Sequence, residues 1–229
     1  MTDRDRRGWF VTIEGPEGSG KTTHARAVAE AGAGLGLEVV LTREPGGTPL
    51  GEAIRTILLD PEGAAGIDPR ADALLFNAAR AQLVEDVIRP ALDRGALVVC
   101  ARYADSTAAY QGHGRGLDVA ELRALERFAT RDLRPDLTIL LDLPVAEGLA
   151  RKAPDDETRF EGLDLAFHER VRAGFRALAR EEPGRFAVVD ASRARQQVEA
   201  DALAVVRRLP GLEDIAARSL VIPNRPTPA

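Results

Sequence analysis

The sequence is poor in several features that would otherwise narrow its class. It carries one cysteine, Cys100, among 229 residues. No disulfide can close within the chain, and a reducing compartment is the simplest expectation. Aromatic residues make up only 4%, so a core must come mainly from Leu, Val, Ile and Ala. No stretch approaches the ~20 apolar residues that span a bilayer. The opening MTDRDRRGWF brings charge without the apolar run of a signal peptide, so a soluble, cytoplasmic protein with no membrane partner is predicted. An excess of one charge is also missing. The 31 basic and 36 acidic residues are well mixed, with a net charge of −5. That balance argues against a nucleic-acid partner but leaves room for a local basic pocket. No internal repeat or low-complexity linker is visible.

What is present is alternation. Short apolar runs at Trp9–Ile13, Glu38–Leu41, Leu97–Cys100, Leu137–Leu141 and Phe186–Val189 read as strands covered on both faces, because they are rich in Val, Ile and Leu and barely alternate. Helical spacing fills Thr22–Ala33, Pro49–Leu59, Ala71–Asp93, Val119–Thr130, Leu163–Arg180 and Arg195–Arg208. This order predicts an α/β fold: a five-stranded parallel sheet between two helical layers with right-handed crossovers. The length suits a single domain, drawn here as residues 1–210. The tail 211–229, with Pro223, Pro226 and Pro228, is expected to be peripheral.

Gly15-Pro-Glu-Gly-Ser-Gly-Lys21-Thr22 fits the pattern G-x-x-x-x-G-K-[ST] between a strand and a helix. Glycines let main-chain N–H groups turn towards phosphate, and the helix start adds a favourable dipole. The expected nucleoside triphosphate site comprises Gly15, Glu17, Gly18, Ser19, Gly20, Lys21, Thr22 and Thr23. Lys21 reaches the β- and γ-phosphates in this arrangement, and the Thr22 hydroxyl serves Mg²⁺. The fold expected is thus a three-layer sandwich of the P-loop NTPase type.

Three later segments bear on what receives the phosphoryl group. Thr42-Arg-Glu-Pro-Gly-Gly-Thr48 follows the second strand, at the carboxyl edge where open parallel sheets bind ligands. Leu75-Phe-Asn-Ala-Ala-Arg80 sets an aromatic ring and a guanidinium four residues apart on one helix face. Arg102-Tyr-Ala-Asp-Ser-Thr-Ala-Ala-Tyr-Gln111-Gly follows the third strand. Together they offer a stacking ring, cations for an anion and small hydroxyls for a base edge. In this order, with the phosphate loop, the segments resemble the thymidylate kinase family from about Phe10 to Leu209.

The resemblance implies phosphorylation of dTMP to dTDP by ATP with Mg²⁺, in a homodimer. Apolar stretches at Ala71–Ala81 and Val119–Phe128 hint at such pairing. Carried over residue by residue, Phe76 stacks on thymine, Arg80 bonds its carbonyl edge, and Thr107, with Ser106 nearby, faces the N3 side. Tyr110 packs where a ribose 2′-hydroxyl would sit, and Gln111 closes that pocket. Arg43 and Arg102 hold the acceptor phosphate beside Pro45, and Glu17 approaches the sugar 3′-hydroxyl. Some relatives have arginine in the loop where this chain has Glu17. A lid at about 151–161 is then expected to supply the neutralising cation, from Arg151, Lys152 or Arg159.

One departure stands out. The family has an aspartate before the arginine at the end of the third strand, and here that residue is Ala101. Three readings remain open: a dispensable carboxylate, with Glu14 or Glu17 compensating; an inactivated chain; or a natural binding protein without turnover. A different nucleotide or nucleoside kinase on the same scaffold is the further alternative. The remaining conspicuous residues have plainer expectations. Cys100 reads as a buried structural thiol, and the arginines in 123–134 as a solvated helix face. His24, His113 and His168 read as surface or locally bonded side chains without metal-ligand spacing. The acidic run Asp155–Glu157 reads as the tip of the lid.

Overall fold

A computed structural model describes residues 7–60, 66–151, 160 and 162–213. The five predicted strands form one parallel sheet in the order β2-β3-β1-β4-β5. They are β1 (Trp9–Glu14), β2 (Val39–Arg43), β3 (Leu97–Ala101), β4 (Leu137–Asp142) and β5 (Phe186–Asp190). Each lies within two residues of its predicted bounds. In register, Ile13 pairs with Ala101 on one side and Ile139 on the other, and Arg43 also pairs with Ala101. Because all strands are parallel, the residues ending β1, β2, β3 and β4 emerge at one edge, the edge used by ligands in this architecture.

The near-continuous apolar runs are explained by helices on both faces. Helices α1 (Lys21–Gly34) and α9 (Arg195–Val206) cover Val11, Ile13, Val99, Ile139 and Leu141. The opposite face buries Phe10, Val98 and Cys100 under the long helix α3 (Pro69–Leu83), its π-helical continuation Val84–Ile88 and α4 (Arg89–Asp93). Farther along that face, Leu140 and Phe186 meet Val171 and Phe175 of α8 (Leu165–Glu181). Truncating any of these buried side chains to alanine is expected to cost about 2–5 kcal/mol.

Local signals set the helix starts. Thr48 caps α2 (Pro49–Leu59) by accepting from the Gly51 N–H, and Pro49 stands where its missing N–H costs nothing. Asp68 caps α3, Asp118 caps α6 (Val119–Thr130) and Asp164 caps α8 in the same way. The start of α1 has no side-chain cap, and its preceding residue is Gly20 in a left-handed conformation.

Three features depart from the expectations. The stretch predicted as one helix over Ala71–Asp93 is interrupted by the π turn at Val84–Ile88, just before Pro90, which has no N–H to continue the ladder. The motif after β3 is helical: α5 (Ala104–Thr107) runs into a π-helical segment, Ala108–Gly114, and a short α7 (Val145–Ala150) follows β4. The chain after Pro210 was expected to be peripheral, yet Leu212 is 1% exposed within the core, and Trp9 Nε1 donates to the Pro210 carbonyl at 2.9 Å. The packed unit therefore extends at least to Leu212. Residues 214–229 and most of the expected lid, including Lys152, Asp155–Glu157, Arg159 and Glu161, lie outside the described residues.

Candidate active site

The phosphate loop joins β1 to α1. Gly18 has φ +68°, and a Cβ there would fall 1.9 Å from the Gly148 carbonyl oxygen. Only glycine fits so close an approach in that conformation. The uncapped α1 start leaves its first N–H groups aimed outward, the arrangement that binds anions. Lys21 Nζ lies across the loop, donating to the carbonyls of Gly15 at 3.0 Å and Pro16 at 2.6 Å and to Ser19 Oγ at 3.2 Å. Thr22 is exposed and Thr23 half-buried at the first turn of α1. The site is therefore cationic and built largely from main-chain donors.

Glu17 points the other way, off the loop and towards the third motif. Tyr110 Oη donates to Glu17 Oε1 at 2.6 Å, and Arg102 Nη2 stands 3.4 Å from the same oxygen. Burial alone would raise the Glu17 pKa. His168, Arg102, Lys21 and Tyr110 together outweigh it and hold the carboxyl well below the usual range. Arg102 has φ +70°, an uncommon conformation for a non-glycine residue. It is fixed by its own N–H donating to the Ile13 carbonyl and by Nη1 donating to Ser106 Oγ at 3.2 Å. Its guanidinium also lies 5.0 Å from the Tyr110 ring centroid.

Behind this corner sits Glu14, fully buried at the end of β1. It accepts from the Tyr103 N–H and the Ser106 hydroxyl, both at 2.6 Å. Burial, with Asp105 second, pushes its pKa up to about 7. Ser106 was expected near the pyrimidine. Its hydroxyl instead links Glu14 to Arg102, because the helical turn of α5 directs it back towards β1. Ala101 pairs with Ile13 in the sheet and shares its face under α1, whereas Glu14, one residue on, points to the opposite face.

The remaining acceptor-side residues come together around this corner. Arg43, at the end of β2, makes two 3.1 Å bonds to Glu52. Arg55 on α2 donates to the Pro45 carbonyl at 2.9 Å. Its charge is disfavoured first by burial and next by Arg43, with Arg102 also contributing. Three guanidinium groups thus share one wall. Arg55 was missed in the sequence; its signal was a cation nearly two helical turns inside α2, facing the TREPGGT loop.

Phe76 is half-buried, with its ring centroid 6.4 Å from that of Phe160, which also stands edge-on to Tyr110 at 5.5 Å. Arg80 is 1% exposed and donates to Glu44, Asn77, the Tyr103 carbonyl and Thr107 Oγ1. Four of its five N–H groups are thereby committed to protein, leaving one Nη1–H among the described residues. Thr107 is turned to Arg80, and Gln111 donates to Asp72 at 2.8 Å. Both are buried.

On the far side of the phosphate loop, a cleft of about 260 Å³ is bordered by Gly18, Gly20, His24, Arg151, Arg193 and Arg195. Arg151, the lid cation that is described, donates to the Ala191 carbonyl at 2.9 Å. The β5–α9 arginines here were not singled out in the sequence. Among the described residues no cluster of three or more His, Cys, Asp or Glu could hold a metal by itself.

The comparisons fit this geometry. The family model described as thymidylate kinase matches residues 13–202. A thymidylate kinase of Thermomicrobium roseum is 56% identical over 80% of this chain and 87% of its own length. One of Deinococcus radiodurans is 51% identical over 87% and 97%. The crystal structure of the Ehrlichia chaffeensis thymidylate kinase superposes with a TM-score of 0.71 at 33% identity, covering 87% of this chain and 99% of that one.

Proposed function

The chain belongs to the thymidylate kinase family, and on that premise we propose how its own residues carry the reaction. It is an ATP-dependent phosphotransferase that moves the γ-phosphoryl group onto dTMP, giving dTDP and ADP, a step towards dTTP. An oxygen of the dTMP phosphate attacks the γ-phosphorus while the bond to the β,γ-bridging oxygen breaks. Such a transfer needs alignment and charge neutralisation more than covalent help.

The observation that carries the residue assignment is the Glu17 bridge. One carboxylate of the phosphate loop contacts both Tyr110 and Arg102 of the third motif, so donor and acceptor sites share a wall. The loop amides and Lys21 hold the triphosphate, with Gly15, Ser19 and Thr23 shaping the cradle. Arg43, Arg55 and Arg102 hold the acceptor phosphate, and guanidinium groups suit that role through bidentate contacts. Phe76 stacks on thymine. Arg80 offers its remaining N–H to the base edge, and Thr107 and Gln111 act through Arg80 and Asp72. Tyr110 excludes a ribose 2′-hydroxyl while anchoring Glu17. Arg151, with its neighbours in the lid, brings further positive charge to the donor side.

Mg²⁺ fits the site only together with the nucleotide. Thr22 offers a single exposed hydroxyl, no acidic cage is present among the described residues, and Mg²⁺ characteristically binds substrate phosphates with few protein ligands. When bound, it neutralises charge on the β- and γ-phosphates. Ala101 leaves Glu14 and Glu17 as the carboxylates nearest this corner, which supports reading the family aspartate as dispensable. A chain without turnover has no support in the fold or in these relatives.

A homodimer is proposed on α3 and α6, which pack together and expose Leu74 and Phe128, the latter 85% accessible. No helix of the described residues is long and apolar enough to cross a membrane. The lone thiol suits the cytoplasm, and we place the enzyme there. A coupled assay across dTMP, dUMP, UMP, CMP and thymidine tests the acceptor assignment: dTMP is expected to be used best, and a preference for UMP would refute the role of Tyr110.

A further inference from the structure

His168 is the buried titratable group that this account leaves unused. It lies in the first turn of α8 and is 1% exposed, so of the surface and locally bonded roles expected for it the surface one does not hold. Both its ring nitrogens lack a hydrogen-bond partner among the described residues, and so does Glu17 Oε2, also buried. These orphans face each other, with His168 Nδ1 standing 3.5 Å from Glu17 Oε2. Buried polar atoms of native proteins are nearly always paired, and an unpaired one points to a function or to a partner yet to arrive.

The rest of the carboxylate is accounted for. Glu17 Oε1 takes the Tyr110 hydroxyl at 2.6 Å and faces Arg102 at 3.4 Å. The His168 ring is held edge-on against Phe167, with centroids 5.4 Å apart at 83°, so it has little freedom to turn away. Gaps of this kind in a ligand-free site commonly shorten when substrate binds.

We propose that His168 is a positioning residue for Glu17: its Nδ1–H donates to the buried Oε2 and fixes the orientation in which the carboxylate meets the 3′-hydroxyl of the acceptor sugar. His168 would thereby set discrimination for a 3′-hydroxyl without touching the nucleotide. The inference rests on the assignment of Glu17 to that hydroxyl. A hydrogen bond to a charged group typically changes an equilibrium about 10- to 100-fold.

The test compares kcat/KM for dTMP and 3′-deoxy-dTMP in wild type, His168→Asn and His168→Gln. The asparagine amide nitrogen falls near the position of Nδ1, and the glutamine nitrogen near that of Nε2. Wild type is expected to favour dTMP at least tenfold. His168→Asn should keep most of that preference. His168→Gln should lose it, through a fall on dTMP of about 10-fold or more and a change on the deoxy analogue within about threefold. Equal falls on both substrates in both variants would mean that His168 only supports the fold, and the proposal would be wrong. Full preference in both variants would overturn it too. Wild type that treats the two nucleotides alike would remove the Glu17 assignment itself, and the role of His168 with it. Melting temperatures of the three proteins separate these outcomes from a loss of folded enzyme.

Discussion

The two halves of the proposed site are built by different means. The donor half centres on a single contiguous segment, Gly15–Thr23, whose ligand groups are mostly main-chain N–H donors, with one cation, Lys21, donating to the Gly15 and Pro16 carbonyls and to Ser19. The acceptor half gathers side chains from β1, β2, α2, α3 and α5 with the π segment after it. Most of its polar groups, the exposed Arg43–Glu52 pair apart, are buried and bonded to one another, as in Arg80 to Glu44 at 2.8 Å and Glu14 to Ser106 at 2.6 Å. Changes in the donor half should therefore alter rate while sparing the fold. Changes in the acceptor half should alter stability as well, because each buried partner removed leaves another unpaired.

The sharpest contrast is expected from Arg80→Met. It strands Glu44 in the interior and should cost about 3–5 kcal/mol of stability, read as a large fall in the urea midpoint at pH 8. The loss should shrink at pH 5, because Glu44 can then take up a proton. Lys21→Met is the matching donor-side change. It should lower kcat by about 10²–10³ and leave the melting temperature and calorimetric dTMP affinity nearly unchanged. A melting temperature that fell as far as that of Arg80→Met would erase the distinction between the halves.

Glu14 sharpens the comparison through pH. Its pKa is raised from 4.5 to about 7 by burial, with Asp105 adding to the effect. Between those values the native state holds a proton that the unfolded chain has released, so this group's contribution to stability is full below pH 4.5 and is lost as pH rises through about 7. Denaturant midpoints should decline over that window. Glu14→Gln should flatten the decline by up to about 3 kcal/mol. Part of the slope should persist, because burial also pushes Glu44 up to about 7 against the pull of Arg80.

The smallest effect is expected where the chain departs from its family. Ala101→Asp should raise kcat about tenfold and leave KM for dTMP within a few-fold, below the usual scale for one transition-state charge, because Glu17 of the phosphate loop already brings a carboxylate to Arg102 at this corner. Unchanged kcat would mean that the strand-end aspartate has no part in the reaction here.

The strands were legible because both faces are covered, which turns each into an unbroken apolar run. Phe10-Val-Thr-Ile13 followed by Gly15 needed no further context. The helix starts at Pro49 and Val119 were placed by spacing, whereas α3 and α8 were begun two residues off, at Ala71 and Leu163, because their caps Asp68 and Asp164 were not read. The π-helical segments were not legible, since a change from i+4 to i+5 bonding leaves no period that apolar spacing reveals. Leu212 lay hidden in a proline-rich tail. Ser106 was assigned to the pyrimidine because its rotation towards Glu14 depends on how α5 leaves β3.

By itself, the sequence determined the phosphate loop, the strand order of events along the chain and the family, because those depend on local backbone requirements and on motifs read in line. Which side chains meet was decided only by the tertiary structure. Tyr110 and Glu17 are 93 residues apart, and Ser106 and Glu14 are 92 apart. His168 acquires its place opposite Glu17 only when α8 packs on the π segment. A hydrogen bond acts over about 3 Å, so such partners exist only once separate elements have been packed to that accuracy.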